Sequence, residues 1–98
     1  MSMQPLSLHL DDGETIPVQV STTDKTTLIE CQNPRPFLEH ITHGRWSTSL
    51  TPDTYLRGCV LPNEGALFCL CDQFGTVADD IVRLTNEEAQ RLIFDRLS

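Results

Sequence analysis

Lysine is almost absent: Lys25 is the single one in the 98 residues, and the seven Lys and Arg together face 14 Asp and Glu, for a net charge of −7. A surface of that sign repels the phosphate backbone and anionic lipid, so direct nucleic-acid and membrane-surface binding are the first functions to drop out. Long hydrophobic runs are also missing. The longest apolar stretch, Ala66 to Cys71, is far too short to cross a bilayer. The first residues, Met1 to Pro5, carry no positive charge and lead into no apolar run, so no secretory signal is expected. A cytoplasmic location with reduced thiols is the corresponding expectation.

Motifs are as scarce as lysine. The five glycines stand alone at Gly13, Gly44, Gly58, Gly65 and Gly75 and build no phosphate-cradling loop. There is no Gly-x-Ser-x-Gly elbow, no His-Glu-x-x-His and no Asp-x-Asp-x-Asp-Gly calcium loop. The paired acids have local explanations. Asp11 and Asp12 suit a turn, and Glu87 and Glu88 suit a helix start. Asp79 and Asp80 are strand neighbours, which point to opposite faces and make a poor acid–base couple.

What is present describes one small domain spanning 1–98. Leu6, Leu8 and Leu10 alternate with polar residues, then Asp-Gly turns the chain, and Ile16, Val18 and Val20 alternate in return. This predicts a hairpin over 6–20. Pro17, which has no N–H, should face an unpaired edge or a bulge. Residues 26–31 suit a third strand. Asn33-Pro34-Arg35-Pro36 is expected to break regular structure. One or two short helices are expected within 36–57, the first over Phe37 to His43 with Pro36 at its first position and Gly44 closing it, the second from Thr51-Pro52-Asp53. Later strands should fill 59–84, with Ala66 to Cys71 central and Asp79-Asp80 marking a bulge or an edge. Thr85 and Glu88 form a capping box for an amphipathic helix over 86–97. The fold class is therefore α+β: a two-layer domain with a mostly antiparallel sheet of four to six strands and the C-terminal helix on one face.

Three functions compete. The leading one is a non-enzymatic interaction module, a small acidic accessory or inhibitor protein binding another protein, whose surface is basic; a homodimer meets the same facts. Phe37, Arg45, Trp46 and Tyr55 are its candidate contact residues, because Trp, Tyr and Arg are enriched at interface hot spots. The second is a structural zinc domain. Cys69 and Cys71 share a strand face, Cys59 could join them, and His40 or His43 could complete the set. Cysteine also packs as an ordinary core residue, and Cys-x-x-Cys spacing is missing. The third is a cysteine-dependent enzyme, which needs a base or a positive field beside a thiol. No cofactor is called for.

Overall fold

The computed structural model describes residues 3–23, 25–45, 52–61, 63–72 and 77–98; side chains are described for these except 77–81. Six strands form one antiparallel sheet in sequence order: β1 (Gln4–His9), β2 (Thr15–Thr22), β3 (Thr27–Cys31), β4 (Tyr55–Leu61), β5 (Gly65–Cys71) and β6 (Val77–Leu84). Helix α1 (Pro34–Thr42) lies between β3 and β4, and helix α2 (Asn86–Leu92) follows β6. A single 3-10 turn, Phe94–Arg96, leads to the C-terminal residue.

The hairpin forms as its alternation requires. Asp12 Oδ1 accepts from the Glu14 N–H at 2.9 Å, and Gly13 takes the positive φ of 90° that this turn demands. Leu6 pairs Val18 and Leu8 pairs Ile16. Opposite Pro17 is Ser7, whose N–H and C=O both bond to Ser98 instead. On its other side, Pro17 lies beyond the last β2–β3 pair, Gln19 with Glu30. Its missing N–H therefore leaves no ladder bond unmade.

The segment 33–36, which the sequence suggested would break regular structure, starts the helix, with Pro36 in its first turn as expected and Pro34 at its first position. Asn33 is the N-cap, and Pro34 and Pro36 occupy the first turn, whose N–H groups have no intrahelical partner in any case. The helix ends on His43 in the left-handed conformation, followed by Gly44 at φ 82°. The expected second helix does not form. Pro52 and Asp53 make a turn, and residues 55–61 continue as β4, so Gly58 is mid-strand. Of residues 45–50, whose structure the sequence leaves open, all but Arg45 lie outside the described residues.

β4 is extended because both neighbours claim it. It pairs with β3 through Ile29–Gly58 and with β5 through Gly58–Phe68. A Cβ on Gly58 would overlap the edge of the Phe68 ring. The ring, fully buried, lies over this gap and meets Phe37 of α1 at a centroid distance of 5.4 Å. Around it α1 contributes Leu38 and Ile41, α2 contributes Ala89 and Leu92, and Ile93 follows just after α2, all onto one sheet face.

The capping box of α2 is complete: Thr85 Oγ1 accepts from the Glu88 N–H at 3.1 Å, and Glu88 Oε1 accepts from the Thr85 N–H at 2.9 Å. Those hydrogen bonds hold the Glu88 carboxyl below its ordinary pKa. The helix is shorter than the sequence suggests. It stops at Leu92, because the chain must reach the edge strand β1, where Leu97 pairs with Leu8 and Ser98 exchanges two backbone bonds with Ser7. Arg96 secures the crossing with a 2.7 Å ion pair to Asp11 and a bond to the His9 carbonyl. β6 is the other edge. Its register shifts opposite Leu70, where Asp79 stands, so the acidic pair does coincide with a bulge on an edge strand.

Two stability changes follow. Gly58→Ala should cost about 1–3 kcal/mol by overpacking Phe68, and a Phe68→Leu background should shrink that penalty; urea unfolding of the four proteins measures the coupling. Thr85→Ala should cost about 1 kcal/mol. The box's carboxylate contribution should be intact above the ordinary Glu pKa of about 4.3 and fade as pH falls through the depressed folded value.

Candidate functional site

A strand alternates its side chains, so the face away from the helices can be read from the register. Leu56, Gly58 and Val60 of β4 face the core; Tyr55, Arg57, Cys59 and Leu61 face outward. On β5, Ala66, Phe68 and Leu70 face the core and Leu67, Cys69 and Cys71 face outward. The cross-strand pairs Tyr55–Cys71, Arg57–Cys69 and Cys59–Leu67 therefore stand side by side on the open face. Leu28 and Glu30 of β3 border them, opposite Cys59 and Arg57.

This open face is apolar at its centre. Leu28, Cys59, Leu67 and Cys69 line a shallow depression of about 200 Å³. Leu67, 39 % exposed, is the large hydrophobic side chain that stands out on the surface among the described residues. Arg57 crosses its rim. The guanidinium lies 5.8 Å from the Tyr55 ring centroid and 3.4 Å from a Glu30 carboxylate oxygen. The Arg57–Glu30 pair is partly exposed, so it orients the arginine more than it stabilises the fold.

The candidate contact residues fare differently. Tyr55 is half-buried on this face. Phe37 is fully buried against Phe68, so it supports the sheet from the helix side and presents nothing at the surface. Arg45 is exposed beyond the end of α1, and Trp46 lies outside the described residues. Two further members of the face, Arg57 and Leu67, went unselected in the sequence. The signal was the alternation of 55–60, hidden by the helix-start appearance of Thr51-Pro52-Asp53.

The proposed zinc set is not brought together. Cys69 and Cys71 are adjacent, with sulfurs 3.9 Å apart, but His40 and His43 are on α1, across the sheet from them. His40 Nε2 lies 2.7 Å from the Leu92 carbonyl oxygen and so donates a hydrogen bond to it, joining α1 to the C-terminal end of α2. His43 is exposed, close enough to α2 to help lower the pKa of Glu88. Among the described residues no group of three or more metal-ligating side chains gathers.

Two of the thiols, Cys31 and Cys69, are pushed toward their protonated forms. Burial pushes Cys31 up, and the neighbouring backbone of Asn33 offsets this only in part. Burial also raises Cys69, and its hydrogen bond and charge coupling with Cys71 raise it further; Arg57 pulls the other way without prevailing. Burial, together with Cys71 and Glu30, raises the Tyr55 hydroxyl against the charge of Arg57.

A surface groove of about 530 Å³ lies between the first turn and α1, with Asp11, Asp12 and Glu39 at its walls. Its acidic character is diluted: Asp11 is paired with Arg96, and Arg35 lines the same groove.

No protein-family model, curated protein or solved structure matches this chain.

The exposure pattern gives an order of thiol reactivity. With iodoacetamide on the native protein, the half-buried Cys59 and Cys69 should be alkylated before the buried Cys31 and Cys71. The Cys69 rate should continue rising above the pH at which a free cysteine levels off. Peptide mapping by mass spectrometry against time and pH measures both.

Proposed function

We propose that this chain is a protein-binding module and that its contact surface is the open face of the sheet around Leu67. The observation carrying this reading is the one-sided layering. Both helices cover the same face, while the other leaves Leu28, Tyr55, Leu67 and the cysteine-lined depression facing out. Strands β3 to β5 hold this surface rigidly, so little ordering entropy opposes docking. Tyr55 and Arg57 supply the aromatic and guanidinium groups that anchor interfaces, and Leu67 supplies the apolar centre.

The occupant is a different protein with a basic contact region. Two copies of this chain would bring together two bodies of charge −7 each, whereas a basic partner is drawn in by the same field. The aromatic and arginine residues of 35–56 remain part of the proposal through Tyr55, with Arg45 and Trp46 as a second, separable contact.

The test is affinity capture from the native host, followed by binding measured with the purified partner. Wild type is compared with Leu67→Asp and with Arg45→Ala/Trp46→Ala, after circular dichroism confirms that both variants fold. The expected result is a basic partner whose binding weakens with salt and falls at least about tenfold, or ~1.4 kcal/mol, in Leu67→Asp. Retained binding in Leu67→Asp with loss in the double variant would move the surface to the end of α1. A stable dimer of the pure chain in sedimentation, disrupted by Leu67→Asp, would replace the foreign partner with a second copy.

A further inference from the structure

We propose that Cys69 and Cys71 are a dithiol site for small-molecule disulfides, glutathione disulfide being the simplest probe, and that reaction there closes an intrastrand Cys69–Cys71 disulfide. This inference concerns the chemistry of the two sulfurs and stands whether or not the face docks a protein.

Three features of the pair carry it. First, the sulfurs already face each other at 3.9 Å on the outward side of β5. Rotation about the two Cα–Cβ bonds must bring them to the disulfide length of about 2.05 Å. Residues two apart on a strand have Cα atoms about 6.6 Å apart at ~3.3 Å per residue. That is the wide end of the roughly 4.4–6.8 Å range over which disulfides form. The bond is therefore reachable but strained, and a strained disulfide is readily reduced again.

Second, the two thiols differ in access. Cys69 is half-buried and opens into the depression beside Leu67, where a small disulfide can approach it. Cys71 is 1 % exposed and does not belong to the hydrophobic core cluster. It is covered from outside reagents yet within reach of its neighbour, the arrangement of an attacking and a resolving cysteine.

Third, the cation is correctly placed. Arg57 is the cross-strand partner of Cys69, and its charge favours the Cys69 thiolate. Since burial keeps that thiol protonated at neutral pH, the first step accelerates as pH rises.

The chemistry balances in two exchanges. Deprotonated Cys69 attacks one sulfur of glutathione disulfide, forming a mixed disulfide and expelling one glutathione thiolate. Deprotonated Cys71 then attacks Cys69 Sγ, forming the intrastrand bond and expelling the second. Two electrons pass from the protein to the small disulfide, which leaves as two glutathiones, and the protein's two thiol protons go to solvent or to those thiolates.

The experiment treats the full-length, reduced protein with glutathione disulfide at mildly alkaline pH and reads intact mass and peptide maps. The expected product has lost two hydrogens, carries no glutathione at Cys69 or Cys71, and maps to a Cys69–Cys71 link. It should reopen on adding reduced glutathione. Cys71→Ser should instead hold a stable mixed disulfide at Cys69, and Cys69→Ser should abolish the link and leave Cys71 unmodified. In Arg57→Gln the rate of the first step should fall and its pH profile move upward, which a purely structural arginine would not cause. A link from Cys69 to Cys59, glutathione left on Cys69 in the wild type, or a Cys69 that stays reduced would each overturn the proposal. Because no partner protein enters this assay, its failure and that of the docking proposal are distinguishable.

Discussion

The Phe68 ring sets the geometry of the whole domain. It needs room on the core face of the sheet, and that room exists because the opposite residue on β4 is Gly58. With the ring lying over the glycine, its side away from the sheet becomes the seat for Phe37, and through Phe37 for α1. An aromatic ring beside a strand glycine restores packing that the missing side chain would lose. One cross-strand pair thus fixes where the first helix docks, which fixes where the second can lie beside it. His40 then links the two helices by a single hydrogen bond to Leu92.

Placing both helices on one face has consequences for the edges and for the other face. A six-stranded sheet has two edges to protect. β1 is paired by the chain's own last residues, through Leu97 and Ser98, with Arg96 bonded to Asp11 and to the His9 carbonyl. β6 has the bulge at Asp79. The helix layer covers apolar residues from all six strands, but nothing within the described chain covers Leu67. The open face is the complement of a core built on one side only.

The features legible in the sequence are those decided within a few residues. The hairpin over 6–20 rests on alternation and an Asp-Gly turn, and the start of α2 rests on a capping box of side-chain–backbone bonds three residues apart. The features that were misread are decided by partners far along the chain. Thr-Pro-Asp at 51–53 has local helix-start chemistry, but β3 and β5 both pair with 55–61 and extend it. Asn-Pro-Arg-Pro resembles a break, and only Pro36 was legible as a helix start, yet Pro34 also falls where a helix has no N–H bond to lose. Leu97 fits the apolar stripe of α2, but a bridge to Leu8 takes it out of the helix. The candidate site follows the same rule. That Cys69 and Cys71 share a face was readable from their spacing. That Arg57 stands opposite Cys69 required knowing that 55–61 is a strand and which register it takes.

Register also explains why the cysteines divide into different chemical roles despite similar surroundings in sequence. Cys31 faces the helices, donates its S–H to the Asn33 carbonyl, and is held as a thiol by burial. Cys69 is in an equally apolar run, Ala66 to Cys71, but odd positions of β5 point away from the core. Its environment is a depression open to reagents, a second thiol at 3.9 Å and a guanidinium across the strand. A one-residue slip of β5 would send both sulfurs into the core and Leu70 to the surface, at a cost in apolar burial that forbids it. The hydrophobic core on one face therefore holds the reactive groups on the other, and the same constraint that packs Phe68 against Gly58 aligns Cys69 with Arg57.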